Sequence, residues 1–372
     1  MLKIATVFSG IGAVEHALER QNKPYEIIFA CDNGGVEPFR KKEEEEIKAI
    51  KEEIHKIKDP LEKQKVVKEL YGSVKQKNFV KQSYFANYKI EEEQWYEDIE
   101  FLDGTPHKGK VDLFVGGSPC QSFSTAGKRG GLEDARGTLF YQYARLVQEI
   151  QPKVFIYENV KGMLNHDKGK TWEVIKSIFD SLGYTYKFKV LNATEYGIPQ
   201  NRKRIFVVGF KKEKYANLFD FPEAIPLEKT MQDFLEENRK NIYYIKELEK
   251  NKDNNINEKV DEKYFLSDRL KKTILSSGTK GFYRKATIDT PIAKTLLATM
   301  HKMHRAGVDN YVTTYGRLRR LSPKETFRLM GFCDSFEKVV SNTQLYKQSG
   351  NSIVVDKMMA VIDSIEKTRV FE

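Results

Sequence analysis

Five short apolar runs punctuate the first 210 residues, at 4–8, 27–30, 111–115, 154–157 and 205–208, and each ends in a turn signal. Amphipathic stretches of helical period separate most of them, notably 14–20, 139–150 and 172–182. Strand-length runs without polar alternation are buried on both faces. The alternation therefore predicts an α/β fold with a largely parallel sheet covered on both sides. The run 205–210 follows the strand-like 186–191 with no helix between them, which predicts an antiparallel pair at one end of the sheet.

Two segments break this rhythm. Residues 40–70 are dominated by Lys and Glu, yet Ile47, Ile50, Ile54, Ile57 and Leu61 fall three or four apart and form one apolar stripe. Asp59-Pro60-Leu61-Glu62 reads as a helix start, with Pro at the first helical position and Glu three residues after the cap. An inserted pair of helices is expected here, packed on its own domain or serving as an arm for dimerisation or DNA contact. Residues 238–263 are rich in Asn, Lys and Glu without a sustained apolar period, and read as a mobile loop.

At 372 residues the chain has room for about two domains. No apolar run approaches the ~18 residues of a membrane span, and the N-terminus lacks the small-residue cleavage site of a secretory signal. Cys31, Cys120 and Cys333 are widely spaced and odd in number, which fits neither a disulfide framework nor a metal site and suggests a reduced, cytoplasmic protein. The net charge of +10 suits a polyanionic partner.

Against this frame, four short motifs carry chemistry. Phe8-Ser9-Gly10-Ile11-Gly12 follows the first strand and opens a helix, so its glycines allow a tight turn and the close approach of a ligand. Asp32, at the end of the second strand, can accept hydrogen bonds from ribose hydroxyls, and Asp98-Ile99 can add an acceptor for an adenine amino group. Position 13 is Ala and no Gly-x-Gly-x-x-Gly is completed, so a nucleoside without phosphate fits better than a dinucleotide. Cys120, in Ser118-Pro119-Cys120-Gln121, stands on the loop leaving the third apolar run. A thiolate there can add to C6 of a pyrimidine, which makes C5 nucleophilic; a free thiol titrates near ~8.5, so positive neighbours should help. Glu158, in Glu158-Asn159-Val160, can share a proton with N3 of the ring and accept from its amine. Arg202 and Arg204, two apart at a strand start, are expected on one face, where they can hold a base carbonyl or a phosphate.

This ordered set resembles the cytosine-C5 DNA methyltransferase family. The likeness runs from Phe8 through the Pro-Cys and Glu-Asn-Val motifs to Gln200-Asn201-Arg202-Lys203-Arg204, and resumes at Arg319-Arg320-Leu321-Ser322-Pro323 and at Gly350-Asn351-Ser352. It implies a Rossmann-like S-adenosylmethionine-dependent methyltransferase sheet with a smaller target-recognition domain. The catalytic and cofactor domain is expected at 1–210, with the insertion at about 40–71, completed by 336–372; the recognition domain is expected at 211–335. The family's catalytic roles fall on Cys120, Glu158, Arg202 and Arg204. Its S-adenosylmethionine contacts fall on Phe8, Ser9, Gly10, Gly12, Asp32, Asn33, Asp98, Ile99, Pro119, Leu139, Asn351 and Ser352. Asn33 stands where the family often has an aromatic residue. No metal is expected.

The implied substrate is a specific cytosine in double-stranded DNA, flipped out of the helix because C6 is hidden in the stack. The loop 122–131 is then expected to close over the DNA, with Gln121, Ser124, Lys128 and Arg129 as contacts. Base or phosphate contacts are expected from Thr279, Lys280 and Arg284 and from His301, Lys302 and Arg305, with Thr295-Leu296 matching a family pair. A bacterial restriction–modification setting, with a cognate restriction endonuclease as functional partner, is implied, as are a monomer and a nucleoid-associated location. The alternatives are a tRNA cytosine-C5 methyltransferase on the same scaffold, whose Cys-Phe-Thr signature is missing here, and an inactive DNA-binding relative.

Overall fold

The computed structural model describes residues 1–119, 139–236, 260–276, 286–302 and 304–372. The expected loop 238–263 falls outside these residues except for its last four. In chain order the strands are β1 (Leu2–Val7), β2 (Tyr25–Cys31), β3 (Trp95–Tyr96), β4 (Leu113–Gly116), β5 (Val154–Val160), β6 (Thr185–Asn192), β7 (Gln200–Asn201), β8 (Lys203–Phe210), β9 (Ala293–Lys294), β10 (Tyr311–Thr314) and β11 (Arg317–Arg320).

Seven strands form one sheet in the order β3-β2-β1-β4-β5-β8-β6. The first five run parallel, and β8 is antiparallel to both β5 and β6. The helix-free link between the strand-like runs does signal the antiparallel end. Successive strand residues feed two cores. Ile4, Ile27, Leu113, Ile156, Phe206 and Val208 face one side, while Ala5, Phe29, Phe114, Phe155, Tyr157 and Val207 face the other. The helices Leu139–Ile150 and Lys170–Ser181 cover the second side.

The helices Ala13–Arg20 and Val355–Glu366 contribute to the first core and are locked together at their edges. Arg20 holds Asp356 with two hydrogen bonds of 2.8 and 3.0 Å and donates to the Gly331 carbonyl at 2.7 Å. His16 Nε2 accepts the Cys333 N–H at 2.9 Å. The end of the chain is thereby fastened to the start of the sheet.

Residues 40–70 do form two helices, Glu44–Lys56 and Pro60–Gly72. The Asp59 carboxylate caps the second by accepting from Leu61 and Glu62 N–H at 2.8 and 3.0 Å. The apolar stripe does not continue through the cap, because the chain turns there. Leu61 is 72% exposed, and the shared core is instead Ile54, Val67 and Tyr71 with Val36 and Phe101. The pair packs back on its own chain: Gln64 donates to the Glu93 and Trp95 carbonyls, and Lys51 pairs with Glu100 at 2.7 Å.

Beyond β8, β9 pairs in parallel with β7, and β10 and β11 form a hairpin. Tyr315 and Gly316 both have positive φ (49° and 74°), which suits the right-handed twist of a two-residue turn. Arg319 and Glu325, both fully buried, form a bidentate pair at 2.7 and 2.8 Å that pins β11 to the helix Pro323–Arg328. Among the described residues no helix is long and apolar enough to cross a membrane.

Candidate active site

The carboxyl ends of β4 and β5 lie side by side, with Gly116 opposite Tyr157. The chain leaving β4 must therefore pass Glu158, and glycine makes that possible. A Cβ at position 117 would stand 2.6 Å from the Glu158 carbonyl oxygen and 3.3 Å from Oε2. The turn is then fixed by polar groups. Asn159 Nδ2 donates to the Ser118 carbonyl at 2.9 Å and to the Tyr157 hydroxyl at 2.7 Å, and Ser118 Oγ lies 2.7 Å from that hydroxyl. Pro119, exposed, carries the chain directly into Cys120. Cys120 itself lies outside the described residues, as do Gln121, Ser124, Lys128, Arg129, Thr279, Lys280 and Arg284.

Glu158, buried to 9% exposure, faces Arg204 across the β5–β8 pair, with Arg204 Nε 3.4 Å from its Oε1. Arg202 does not pair with Glu158 as Arg204 does, although the charges of Glu158 and Arg204 both act on it, so the two guanidinia of the expected shared face take different partners. The strand is broken at residue 202, so the two-residue rule of a continuous strand does not apply. The Arg202 guanidinium, 2% exposed, donates to the carbonyls of Leu296, Gly350 and Ser352 at 2.8, 2.9 and 2.9 Å. Gln200 does matching work: it donates to the Leu329 carbonyl and accepts the Leu296 N–H at 3.0 Å. Thr295-Leu296 is thereby seated on this strand break, with the Thr295 hydroxyl on the Asn201 carbonyl.

Lys357, fully buried on the C-terminal helix, was not evident as a site residue. Its Nζ donates to the Arg202 carbonyl at 3.3 Å and lies over the Phe206 ring. Burial, reinforced by Arg202 and Arg204 and opposed by Glu158, holds it well below the usual lysine range. The available signal was a lysine inside the apolar helical stripe of Val355, Met358, Val361 and Ile362. The other two thiols are poor nucleophiles. Cys31 and Cys333 are both buried; burial, with nearby carboxylates, pushes Cys31 well up, and burial pushes Cys333 up to about 11.

Next to β4 along the same sheet edge, the backbone turns out of β1 with positive φ at Phe8, Gly10 and Gly12. Gly12 has no room for a side chain, since a Cβ would meet the Tyr88 ring at 2.1 Å while the Tyr88 hydroxyl donates to the Ile11 and Gly12 carbonyls. Ser9 donates to the Thr6 and Cys31 carbonyls, stitching the loop to β2. The Asp32 carboxylate is oriented by one N–H on each oxygen, Gly10 at 2.9 Å and Gly34 at 2.8 Å. Asp98 is held by the Tyr71 hydroxyl at 2.6 Å and the Glu100 N–H at 2.9 Å, and Ile99 is buried beside it. Asn33 is exposed; Leu139 begins the helix Leu139–Ile150. Asn351, exposed, ends the helix Asn342–Asn351, and Ser352 follows with its carbonyl on Arg202. Gly350 lets that helix touch the chain at 297–298, where a Cβ would be 2.2 Å from the Ala298 nitrogen.

Of the candidate DNA contacts, His301 Nδ1 lies 2.7 Å from the Ala298 carbonyl and Lys302 is exposed. Arg305 is turned inward, bonded to Asp309 at 2.9 Å and to the Thr299 hydroxyl at 3.0 Å.

The profile of the C-5 cytosine-specific DNA methylase family matches residues 54–367 of this chain. The chain is 35% identical over 300 residues to the type II methyltransferase M.SsoII of Shigella sonnei, covering 78% of this chain and 72% of that protein. It is 38% identical over 272 residues to the type II methyltransferase M.HpaII of Haemophilus parainfluenzae, covering 68% and 70%. A putative DNA modification methyltransferase from an Escherichia coli prophage shares the fold, with a TM-score of 0.62 at 18% identity over 98% of this chain and 99% of that one. The chain belongs to the C-5 cytosine-specific DNA methylase family and is a DNA cytosine-5-methyltransferase.

Proposed function

We propose that the chain methylates C5 of one specific cytosine in double-stranded DNA, within a restriction–modification setting, through attack of Cys120 on C6 of a flipped base. The observation that carries this reading is the corner where Gly117 packs against Glu158, which is itself paired with Arg204, on the turn that leads through Ser118 and Pro119 into Cys120. The thiolate electron pair forms the S–C6 bond and ring electrons move toward N3. Glu158 stands ready to share a proton there, and Arg204 supplies positive charge to the carboxylate and to the exocyclic C2 carbonyl of the base. Asn159 keeps the turn in place from behind through the Ser118 carbonyl. Arg202 acts as a positioning residue, tying the strand break to the chain at Leu296 and Ser352.

The donor set at the glycine loop fits S-adenosylmethionine. Two carboxylates, Asp32 and Asp98, keep spare lone pairs for hydroxyl or amino donors, and an anionic pair of this kind disfavours phosphate. Asp32 would hold the ribose and Asp98 the adenine; Phe8, Gly10, Pro119, Leu139 and Ser352 complete the proposed surround. When bound, the cofactor supplies the electrophilic methyl. Loss of the C5 proton to water lets the C5–H electron pair re-form the C5=C6 double bond, and the C6–S pair departs on the Cys120 sulfur, which frees the enzyme.

The test is transfer of labelled methyl to DNA by Cys120→Ser. We expect loss of transfer with S-adenosylmethionine binding retained; transfer at the wild-type rate would remove Cys120 from the mechanism. Running the same assay on tRNA separates the RNA alternative.

A further inference from the structure

The inserted helices and the chain that follows them touch the proposed cofactor pocket at three points, Tyr71 from the inserted pair and Gln76 and Asn78 from the stretch leading into the helix Phe79–Asn87. The Tyr71 hydroxyl, at the end of the helix Pro60–Gly72, donates to Asp98 Oδ2 at 2.6 Å and also meets the Asn33 side chain. Gln76 donates to the Gly35 carbonyl at 2.6 Å. Asn78 donates to the Asp32 carbonyl at 2.8 Å and to Glu97 at 3.1 Å, and is packed so closely that a Cβ on Gly34 would be 2.0 Å from its Oδ1. The inserted pair thus reaches the carboxylate of Asp98 through Tyr71, and the stretch after it reaches the loop that orients Asp32 through Gln76 and Asn78.

We propose that the inserted pair is a built-in wall of the adenosine end of this pocket, and that Tyr71 is a positioning residue that orients Asp98 toward the adenine amino group. The proposal rests on the cofactor reading above. Each Asp98 oxygen carries one internal donor, Tyr71 on Oδ2 and Glu100 on Oδ1, so the plane of the carboxylate is set while a lone pair on each oxygen stays open. Without the hydroxyl, only the Glu100 N–H would hold the group, and the carboxylate could swing. Burial pushes the Asp98 carboxyl up, and the hydrogen bonds from Tyr71 and the Glu100 N–H oppose this without cancelling it. Tyr71 is itself fixed by the core of the pair, Ile54, Val67, Val36 and Phe101. The two helices therefore serve to hold one hydroxyl in place, 27 residues away from its partner in sequence.

The probes are S-adenosylhomocysteine and S-inosylhomocysteine, which differ where an amino donor becomes a carbonyl, titrated calorimetrically into the full-length protein. Wild type is expected to prefer the adenosyl form. Tyr71→Phe keeps the ring and its packing; its affinity for the adenosyl form is expected to fall about tenfold, with the inosyl form little changed, so that discrimination shrinks. Unchanged discrimination, or equal weakening of both forms, would overturn the role given to Tyr71. Asp32→Ala is the separate control. It is expected to weaken both forms, and if it alters neither, the cofactor reading itself fails.

Discussion

The sheet edge that carries Glu158 and the segment that carries His301 and Arg305 are built in opposite ways. At the edge, Glu158 and Arg204 sit on long strands whose ladders set their places: β5 and β8 are paired over seven successive residues, from Val154↔Phe210 to Val160↔Arg204. Between residues 286 and 320 the described strands are only two to four residues long, and side chains add to the order. Arg202, Gln200 and Arg319 reach carbonyls or carboxylates beside these short ladders. On the proposed function, chemistry that tolerates little displacement would be mounted on the sheet, and DNA recognition on side-chain ties that can differ without disturbing it.

Breaking each side should give different signatures. Glu158→Gln removes proton sharing on the rigid side; we expect kcat to fall about 10²–10⁴-fold with cofactor affinity kept, as single-turnover assays and calorimetry would show. Arg319→Met strands Glu325 in the core on the tied side. We expect a loss of about 3–5 kcal/mol in urea unfolding. The two arginines then sharpen the contrast. Arg202→Lys loses the fork that reaches three carbonyls and should cost about 2 kcal/mol of stability. Arg204→Lys should leave the urea midpoint within about 0.5 kcal/mol and act on kcat instead.

A pH-dependent effect concerns the tie between His16 and Cys333. Burial, with Arg20 and Lys338 nearby, lowers His16 to about 3, and its Nε2 must stay unprotonated to accept the Cys333 N–H. Because the folded pKa is depressed, the unfolded chain takes up the proton first as pH falls below its ordinary value of about 6.5. Stability from this group is therefore present above that pH and is lost toward pH 3, by at most about 1.4 kcal/mol per pH unit. Unfolding curves of wild type and His16→Gln should converge as the pH is lowered.

Much of the rigid side was legible in the chain. Buried strands read as apolar runs, and Glu158 and Asp32 follow such runs directly, so their places at the sheet edge are consequences of strand length. What stayed hidden depended on distance or on broken regularity. The split between Arg202 and Arg204 comes from a strand break at one residue, which a two-residue spacing cannot reveal. The stripe through Leu61 failed because Asp59 turns the chain. Tyr71 and Lys357 meet their partners only after folding, and no local pattern links Tyr71 to Asp98. Arg305, expected to meet DNA, is paired within the chain with Asp309, four residues on, a partner that no local pattern singled out.

The central claim is that the corner formed by Gly117, Glu158 and Arg204 serves Cys120 as the nucleophile toward cytosine. It is tested most directly by incubating the protein and S-adenosylmethionine with duplex DNA in which 5-fluorocytosine replaces cytosine. Fluorine cannot leave as a proton does, so the covalent adduct should persist, and peptide mapping should place the DNA on Cys120. No adduct with a duplex that the enzyme otherwise methylates, or an adduct on Cys31 or Cys333, would contradict the account.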